Sequence, residues 1–154
     1  MAIRAVDCFI VKNSKILLIK KKTGFGAGKF IGPGGKIEEG ETPEQASIRE
    51  LSEEIRIIPK GPKIIGELKC YAGQKENINW HVYILTSEAF DGTEIETEVA
   101  TPVWFPTDKI PLNEMWEDVK YWIPLMLENK KFAGQFYFDK DFKTLLEHKI
   151  NVLD

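Results

Sequence analysis

At 154 residues with a net charge of −3, the chain is sized for one domain around one core and carries no basic excess for gripping a nucleic-acid polymer. Hydrophobic residues at 43% and charged residues at 29% are a globular balance and exclude a disordered chain. Two cysteines, Cys8 and Cys70, are expected as buried free thiols, the N-terminus lacks a signal-peptide core, and no apolar run reaches the ~18 residues of a membrane span, so the expectation is a soluble, cytoplasmic monomer.

Ala5 to Val11 and Lys15 to Lys20 are short apolar runs around Asn13-Ser14, which predicts a hairpin. The stretch KKTGFGAGKFIGPGGK, residues 21 to 36, then holds six glycines and one proline, a loop in which the backbone bends or comes close to something. Thr42 is placed to cap a helix, with Pro43 at its first position and Gln45 completing a T-x-x-Q capping box. Ile48, Leu51 and Ile55 recur at the spacing of a core-facing stripe, and Pro59, Gly61 and Pro62 end the helix. Ile64 to Tyr71 and Asn79 to Thr86 are predicted strands, and Pro102 to Phe105 a short one. Asn113 to Glu128 reads as a second helix, with Pro124 set to kink or shorten it. Phe132 to Phe138 alternates as a strand. The tail from Asp139 to Asp154 fits an edge strand or a docking helix over 142–148. No repeat or linker divides the chain, so residues 1–154 are expected to form a single α+β domain with a mixed sheet.

The stretch from Gly34 to Ile57 carries seven glutamates in 24 residues. Glu50, Glu53 and Glu54 stand at i, i+3 and i+4 and share one helix face, with Cβ atoms about 5–6 Å apart. Arg49, the only helix cation before Arg56, pairs at i+4 with Glu53 and cannot neutralise three carboxylates. A solvated acidic face is the bland explanation. The alternative is a hard divalent cation, Mg²⁺ or Mn²⁺, held by these oxygens and by a carbonyl of the Gly34-Gly35 turn.

Gly35, Glu41, Arg49, Glu50, Leu51, Glu53, Glu54 and Ile57 match in register the pattern G-x5-E-x7-R-E-U-x-E-E-x-G-U, where U is a bulky aliphatic residue. On these residues the chain is identified as a member of the Nudix hydrolase family. The last glycine of the pattern is replaced by Arg56, which is expected to strain or lengthen the helix end without removing a ligand. The resemblance implies the Nudix fold, a mixed β-sheet packed between α-helices as an α/β/α sandwich. It also implies hydrolysis of a diphosphate linked to a further group, with Glu53, Arg49 and Glu50 as catalytic residues. Glu50, Glu53, Glu54 and the Gly35 carbonyl would bind Mg²⁺, or Mn²⁺ in its place. Arg49 would orient Glu53, and Glu41 would brace the loop–helix junction or reach the metal through water. Glu53 is one candidate general base. The loop GTEIETEVATP offers Glu94, Glu96 and Glu98 as others; relatives carry their loop glutamate at the position of Val99, so Glu98 stands one place early. Lys21, Lys22 and Lys36 are candidate phosphate contacts.

A wider likeness rests on KKTGFGAGKFIGPGGKIEEGET, WFPTDKIP and MWEDVKYWIPLMLENKKFAGQF, spread from about Lys15 to Phe138. These resemble the MutT-type oxidised-purine nucleoside triphosphatases, especially the eukaryotic branch acting on 8-oxo-dGTP and 2-hydroxy-dATP. The resemblance implies a base pocket in which Trp116 is the stacking platform, Phe25 and Trp122 wall the sides, and Lys21 and Gly34 meet the substrate. Asp118 would read the Watson–Crick edge, although it is also placed to cap the second helix. Two positions depart from the branch. Ile31 stands where an asparagine reads the base, and Val119 where a second aspartate follows the first, which weakens or redirects discrimination. Asp7 on the first strand is a candidate replacement. The expected function is Mg²⁺-dependent pyrophosphohydrolysis of oxidised purine nucleoside triphosphates, with a free nucleotide as partner. The alternatives are another nucleoside diphosphate derivative or capped RNA as substrate, or a non-catalytic nucleotide-binding module.

Overall fold

Asn13 and Ser14 take φ values of 55° and 60°, as a two-residue turn between twisted strands requires. They close the expected hairpin between β1 (Ile3–Lys12) and β2 (Lys15–Lys21). The computed structural model describes residues 1–153. Beyond β2 the chain forms β3 (Phe30–Ile31), β4 (Gly34–Lys36), α1 (Pro43–Ile55), β5 (Ile57–Pro59), β6 (Lys63–Ala72) and β7 (Trp80–Ser87). It continues through β8 (Phe90–Gly92), β9 (Ala100–Pro106), α2 (Val119–Leu127), β10 (Phe132–Phe138) and β11 (Leu145–Val152). Among the described residues, nine strands make one sheet in the order β11-β10-β6-β7-β1-β2-β3, with β4 added to β1 and β9 to β2. The β1–β7 and β6–β10 pairs are parallel and the remaining pairs antiparallel, so the sheet is mixed.

Strand alternation gives the sheet two apolar faces. Val6, Cys8 and Ile10 of β1 join Leu51 and Ile55 of α1 on one side. Phe9 of β1 and Ile84 of β7 join Val119, Trp122 and Ile123 of α2 on the other. Each large apolar side chain so buried contributes about 1.5–3 kcal/mol, and the result is the expected α/β/α sandwich. Cys8 and Cys70 are buried free thiols, and burial pushes the Cys8 thiol up to about 12.

Two sequence expectations need correction and two open alternatives are resolved. Ile48 is 38% exposed; Ala46 and Ser47 take its place on the buried face of α1, and the Ser47 hydroxyl is satisfied by donating to the Pro43 carbonyl at 3.0 Å. The second helix starts at Val119, after a 3₁₀ turn at Leu112–Glu114, so Trp116 lies in irregular chain. It ends at Leu127, where Asn129 turns left-handed at φ 58° and the Asn129 and Lys130 N–H groups close on the Met126 and Leu125 carbonyls, with Pro124 lying inside the helix. The tail carries an edge strand, not a helix over 142–148: β11 runs antiparallel to β10 from Phe132↔Val152 to Phe138↔Leu145, satisfying an otherwise open row of backbone groups. Of the two outcomes expected at Arg56, strain holds and lengthening does not: Arg56 ends α1 in the left-handed region at φ 65°, ψ 34°, with its N–H donating to the Leu51 and Ser52 carbonyls.

One feature of the sheet positions the site. β1 is shared between partners: Ala5, Val6 and Asp7 pair with Lys36, Gly35 and Gly34 of β4, whereas Val11 and Lys12 pair with β2. A short loop then leads from β4 into α1. The glycine pair is thereby laid against the acidic face of α1, beside the α2 side of the sheet.

Candidate active site

The N-terminus of α1 is set by the capping box read from the sequence. Thr42 Oγ1 accepts from the Gln45 N–H at 3.1 Å, and Gln45 Oε1 accepts from the Thr42 N–H at 3.0 Å. With the start fixed, Arg49, Glu50, Glu53 and Glu54 fall on the side facing β4. The Gly34 N–H donates to Glu54 Oε1 at 2.8 Å. A Cβ on Gly35 would lie 2.5 Å from the Glu50 carboxyl carbon, and one on Gly34 would lie 1.9 Å from the Val6 carbonyl oxygen. Only glycine lets the strand approach both β1 and the carboxylates so closely.

Arg49 is the hub of the cluster. Its Nε and Nη2 donate to the two carboxylate oxygens of Glu41 at 2.7 and 2.8 Å, Nη1 to Glu50 at 2.8 Å, and Nη2 also to the Lys36 carbonyl at 3.0 Å. Glu53, the expected partner, is reached only at 3.5 Å and is 61% exposed. The planar fork prefers the bidentate carboxylate that the loop delivers over the single oxygen available at i+4. Glu41 is thus the brace of the loop–helix junction, accepting also from the Glu38 N–H at 2.8 Å. Hydrogen bonds from Arg49 hold its carboxyl down at about 2. Burial acts oppositely on the other acids: it raises Glu50 against the opposing pull of Arg49, and pushes Glu54 up to about 8 against the Gly34 hydrogen bond.

These residues fit a hard cation. The donors are all oxygen, Glu50 and Glu54 flank the glycine strand, and the space a Cβ would fill at Gly35 is open to the Glu50 carboxylate. Among the described residues no three ligating side chains converge on one point: Glu50 leans on Arg49, Glu54 on the Gly34 N–H, and Glu53 points outward. They nevertheless share one helix face.

Next to this cluster opens a cavity of about 400 Å³, within the range of small-molecule pockets. Phe25 and Trp116 stack at its wall with ring centroids 5.0 Å apart, and Phe25 also faces Trp80 at 5.8 Å and 10°. Ile31, Gly34, Val119 and Lys21 line it too. Asp118 is 7% exposed and its Oδ2 accepts from Trp122 Nε1 at 2.8 Å. Asp118 occupies the N-cap position of α2 but makes no capping bond with its side chain. Trp122 is 2% exposed and packed between Phe9 and Phe132; it anchors Asp118 from the core and also lines the cavity. Asp7, which strand alternation sends to the same side as Phe9, lines the cavity as well. Burial pushes its carboxyl up to about 7, the charge of Asp118 adding to the effect and Lys21 opposing it; burial raises Asp118 in turn.

A family model described as NUDIX domain matches residues 1–126. The chain belongs to the NUDIX family. An oxidized purine nucleoside triphosphate hydrolase of Danio rerio is 39% identical over 146 residues, covering 94% of this chain and 92% of the relative. One of Mus musculus, with the same description and coverage, is 37% identical. The crystal structure of a MutT protein from Bacillus halodurans superposes with a TM-score of 0.85 and 24% identity, over 97% of each chain; at that identity it speaks for the fold.

Within the NUDIX signature the structure thus draws Gly35, Glu41, Arg49, Glu50 and Glu54 together and leaves Glu53 at the rim. The loop acids are dispersed. Glu94 accepts from Trp104 Nε1 at 2.6 Å, Glu96 pairs with Lys22, and Glu98 is exposed. Lys22, held by Glu96 and by the Thr97 carbonyl at 2.8 Å, is turned from the cluster, whereas Lys21 stays at the pocket, donating to the Phe25 carbonyl at 2.7 Å. The exposed Lys36 lies at the cavity edge. Trp80 and Phe142 are pocket residues that the sequence reading missed. Alternation along β7 could have found Trp80, in phase with the buried Ile84; Phe142 sits in the turn before β11 and carried no local signal.

Proposed function

We propose that the protein hydrolyses purine nucleoside triphosphates, oxidised ones among them, to the monophosphate and pyrophosphate in a Mg²⁺-dependent reaction. The observation that carries this reading is the juxtaposition of an aromatic, acid-lined cavity with the carboxylate face of α1, joined by the Gly34-Gly35 strand. The curated relatives named as oxidized purine nucleoside triphosphate hydrolases support the same substrate class.

In this reading a base enters the cavity against Trp116, and its phosphates extend past Gly34 and Gly35. Glu50, Glu53, Glu54 and the Gly35 carbonyl would hold the cation. When bound, such an ion lowers the pKa of a ligated water and draws charge from the phosphates. Arg49, fixed by Glu41, holds the Glu50 carboxylate in place. Lys21 offers positive charge at the cavity mouth. Glu53, exposed and only weakly engaged by Arg49, is free to take a proton from the attacking water; Glu98 is the second candidate. The net charge of −3 favours a free nucleotide over a polymer, and no helix among the described residues is long and apolar enough to cross a membrane. A cytoplasmic monomer is the simplest form of this reading.

The test is turnover of 8-oxo-dGTP, 2-hydroxy-dATP and dGTP with Mg²⁺ and with chelator. Mg²⁺-dependent release of pyrophosphate from at least one of them is expected. Inertness of all three alongside cleavage of a nucleoside diphosphate linked to another group would move the substrate to that class, a second reading favoured by the apolar Ile31 and Val119.

A further inference from the structure

Among the described residues, the non-glycine positions with positive φ are Asn13, Ser14, Arg56, Asn129 and Phe142. The first four are polar and lie in a hairpin turn or at a helix end. Phe142, at φ 58°, is the one apolar side chain of the set. A bulky residue rarely holds the left-handed region, where glycine or asparagine costs less, so its ring must gain something where it lies. The turn fixes it there. The Phe142 N–H donates to the Asp139 carbonyl at 3.0 Å and the Asp139 N–H to the Thr144 carbonyl at 3.0 Å. Asp139 Oδ1 accepts from the Lys143 N–H at 2.7 Å. The Leu145 N–H donates to Glu117 Oε1 at 2.8 Å, which ties the turn to the residue between Trp116 and Asp118.

What the ring gains is a place in the cavity wall. It meets Phe25 in a T-shaped contact, with centroids 5.7 Å apart at 78°, and Phe138 at 5.3 Å and 47°. Across this wall lies a second, more open depression bordered by Gly24, Gly26, Lys29 and Lys143, and only Phe25, Trp116 and Phe142 line both spaces. We propose that Phe142 is a specificity-determining residue: its ring closes the partition between the cavity and this depression, so that the site takes a compact purine and rejects one bearing a bulky substituent on its base. This rests on the purine-nucleotide hydrolysis proposed above and adds a size limit to it. Phe25 alone makes a poor barrier, because it is half-exposed on a loop whose Gly24, Gly26 and Gly28 all have positive φ. Phe142, pinned by its turn and packed against the core side chain of Phe138, gives that loop something firm to close against, and close-packed rings yield little. The turn lies outside residues 1–126, to which the NUDIX match extends, so the limit is set by a segment beyond the matched domain.

The experiment removes one benzyl group from the wall and adds one to the base. Wild type and Phe142→Gly are compared under Mg²⁺ on dGTP and dATP and on N2-benzyl-dGTP, O6-benzyl-dGTP and N6-benzyl-dATP. The wild type should disfavour each benzylated nucleotide by at least roughly 10-fold in kcat/KM against its parent, the scale on which a closed apolar pocket refuses added bulk. Phe142→Gly should erase most of that penalty for at least one benzyl position, through a fall in KM. On the parent nucleotides it should raise KM by roughly 2- to 10-fold, the scale of one aromatic contact, and leave kcat unchanged. Glycine accepts the backbone at φ 58°, so the variant should fold; should it fail to, Phe142→Asn, which also tolerates that conformation, carries the comparison. Relief at none of the three positions, or an equal loss on parent and benzylated nucleotides, overturns the assignment and leaves Phe142 a packing residue. A wild type that cleaves the parents and the benzylated forms alike overturns only the size limit, whereas one that cleaves no purine triphosphate overturns the hydrolase reading and the role of Phe142 with it.

Discussion

The Arg49 guanidinium grips both carboxylate oxygens of Glu41, at 2.7 and 2.8 Å, although the two residues lie on opposite sides of the loop–helix junction. The remaining amino group holds Glu50 at 2.8 Å. Loop, helix and the Glu50 carboxylate are therefore tied through one side chain, and the position of Glu50 depends on Glu41 through Arg49.

Glu41→Gln should accordingly act on Glu50 from a distance. Losing one charged oxygen of the fork is expected to lower kcat or the apparent Mg²⁺ affinity roughly 10- to 100-fold, as for other groups that orient metal ligands. Arg49→Lys should do the same, because an ammonium cannot bind Glu41 and Glu50 in one plane. A Mg²⁺ titration of initial rates, with circular dichroism to confirm folding, checks both. Wild-type kinetics in Glu41→Gln would detach the fork from catalysis.

Glu54 makes a prediction about stability. Its carboxyl is pushed up to about 8 from an ordinary 4.5, so the folded chain holds this proton more tightly than the unfolded one. The stability from that proton is fully present below about 4.5 and is lost as the pH rises through about 8. Without metal, the protein should therefore melt lower at pH 8 than at pH 5. Glu54→Gln should recover part of this at pH 8, with an upper bound of about 5 kcal/mol set by a shift from 4.5 to about 8 at about 1.4 kcal/mol per unit. Mg²⁺ should raise the melting temperature of the wild type at pH 8 and have a smaller effect on the variant. Differential scanning calorimetry across this range reads the effect; a variant with the same pH slope as the wild type would refute it.

The choice of proton acceptor can be separated from the architecture. Glu53 is 61% exposed and engages Arg49 at 3.5 Å, so Glu53→Gln should leave the melting temperature within a degree or two while lowering kcat at saturating Mg²⁺ by roughly 100-fold or more, the scale of general-base loss; a loss that higher Mg²⁺ restores would mark Glu53 as a ligand only. Glu98→Gln should cost much less. The reverse order in kcat would assign the role to the loop.

Much of this was legible before any coordinates because it is local. The capping box of α1, the glycine pair and the i, i+3, i+4 acids depend on spacings within one helix and the loop before it, and they fall where those spacings put them. What was misread depends on pairing across the chain. Arg49 chose Glu41, eight residues back through a loop, over the helical neighbour Glu53. β3, β4, β5 and β8 are two or three residues long, too short for any period to register. β11 exists because β10 offers it an open edge. The direction of Asp7 was ambiguous until the register of β1 with β4 and β7 was known.

Arg56 tests the one departure from the signature. At φ 65° it occupies a conformation that disfavours side chains by roughly 1–2 kcal/mol. Arg56→Gly removes that strain but restores about 0.4–1 kcal/mol of unfolded-state freedom. A net gain of about 0 to 1.6 kcal/mol is expected, at roughly 2–4 °C in melting temperature per kcal/mol for a chain of this size, with kcat unchanged. A lower melting temperature would mean that the Arg56 side chain makes a stabilising contact that outweighs its backbone.

Trp116 is the strongest test of the pocket because its structural and functional roles predict different readouts. It lies in irregular chain before α2, stacked on the half-exposed Phe25 with Lys29 4.8 Å from its ring, and it also packs against the core cluster, so a melting curve accompanies the kinetics. If a base lies on this ring, Trp116→Ala forfeits about 1–3 kcal/mol of stacking. That converts to roughly a 5- to 150-fold rise in KM, at RT of about 0.6 kcal/mol, with a smaller change in kcat because the carboxylate helix is untouched. Trp116→Phe keeps an aromatic face and should fall between. Steady-state kinetics on the best purine triphosphate would separate the two parameters. A fall in kcat at constant KM, or a loss of folding without a kinetic effect in Trp116→Phe, would show that the ring supports the loop and that the base lies elsewhere in the cavity.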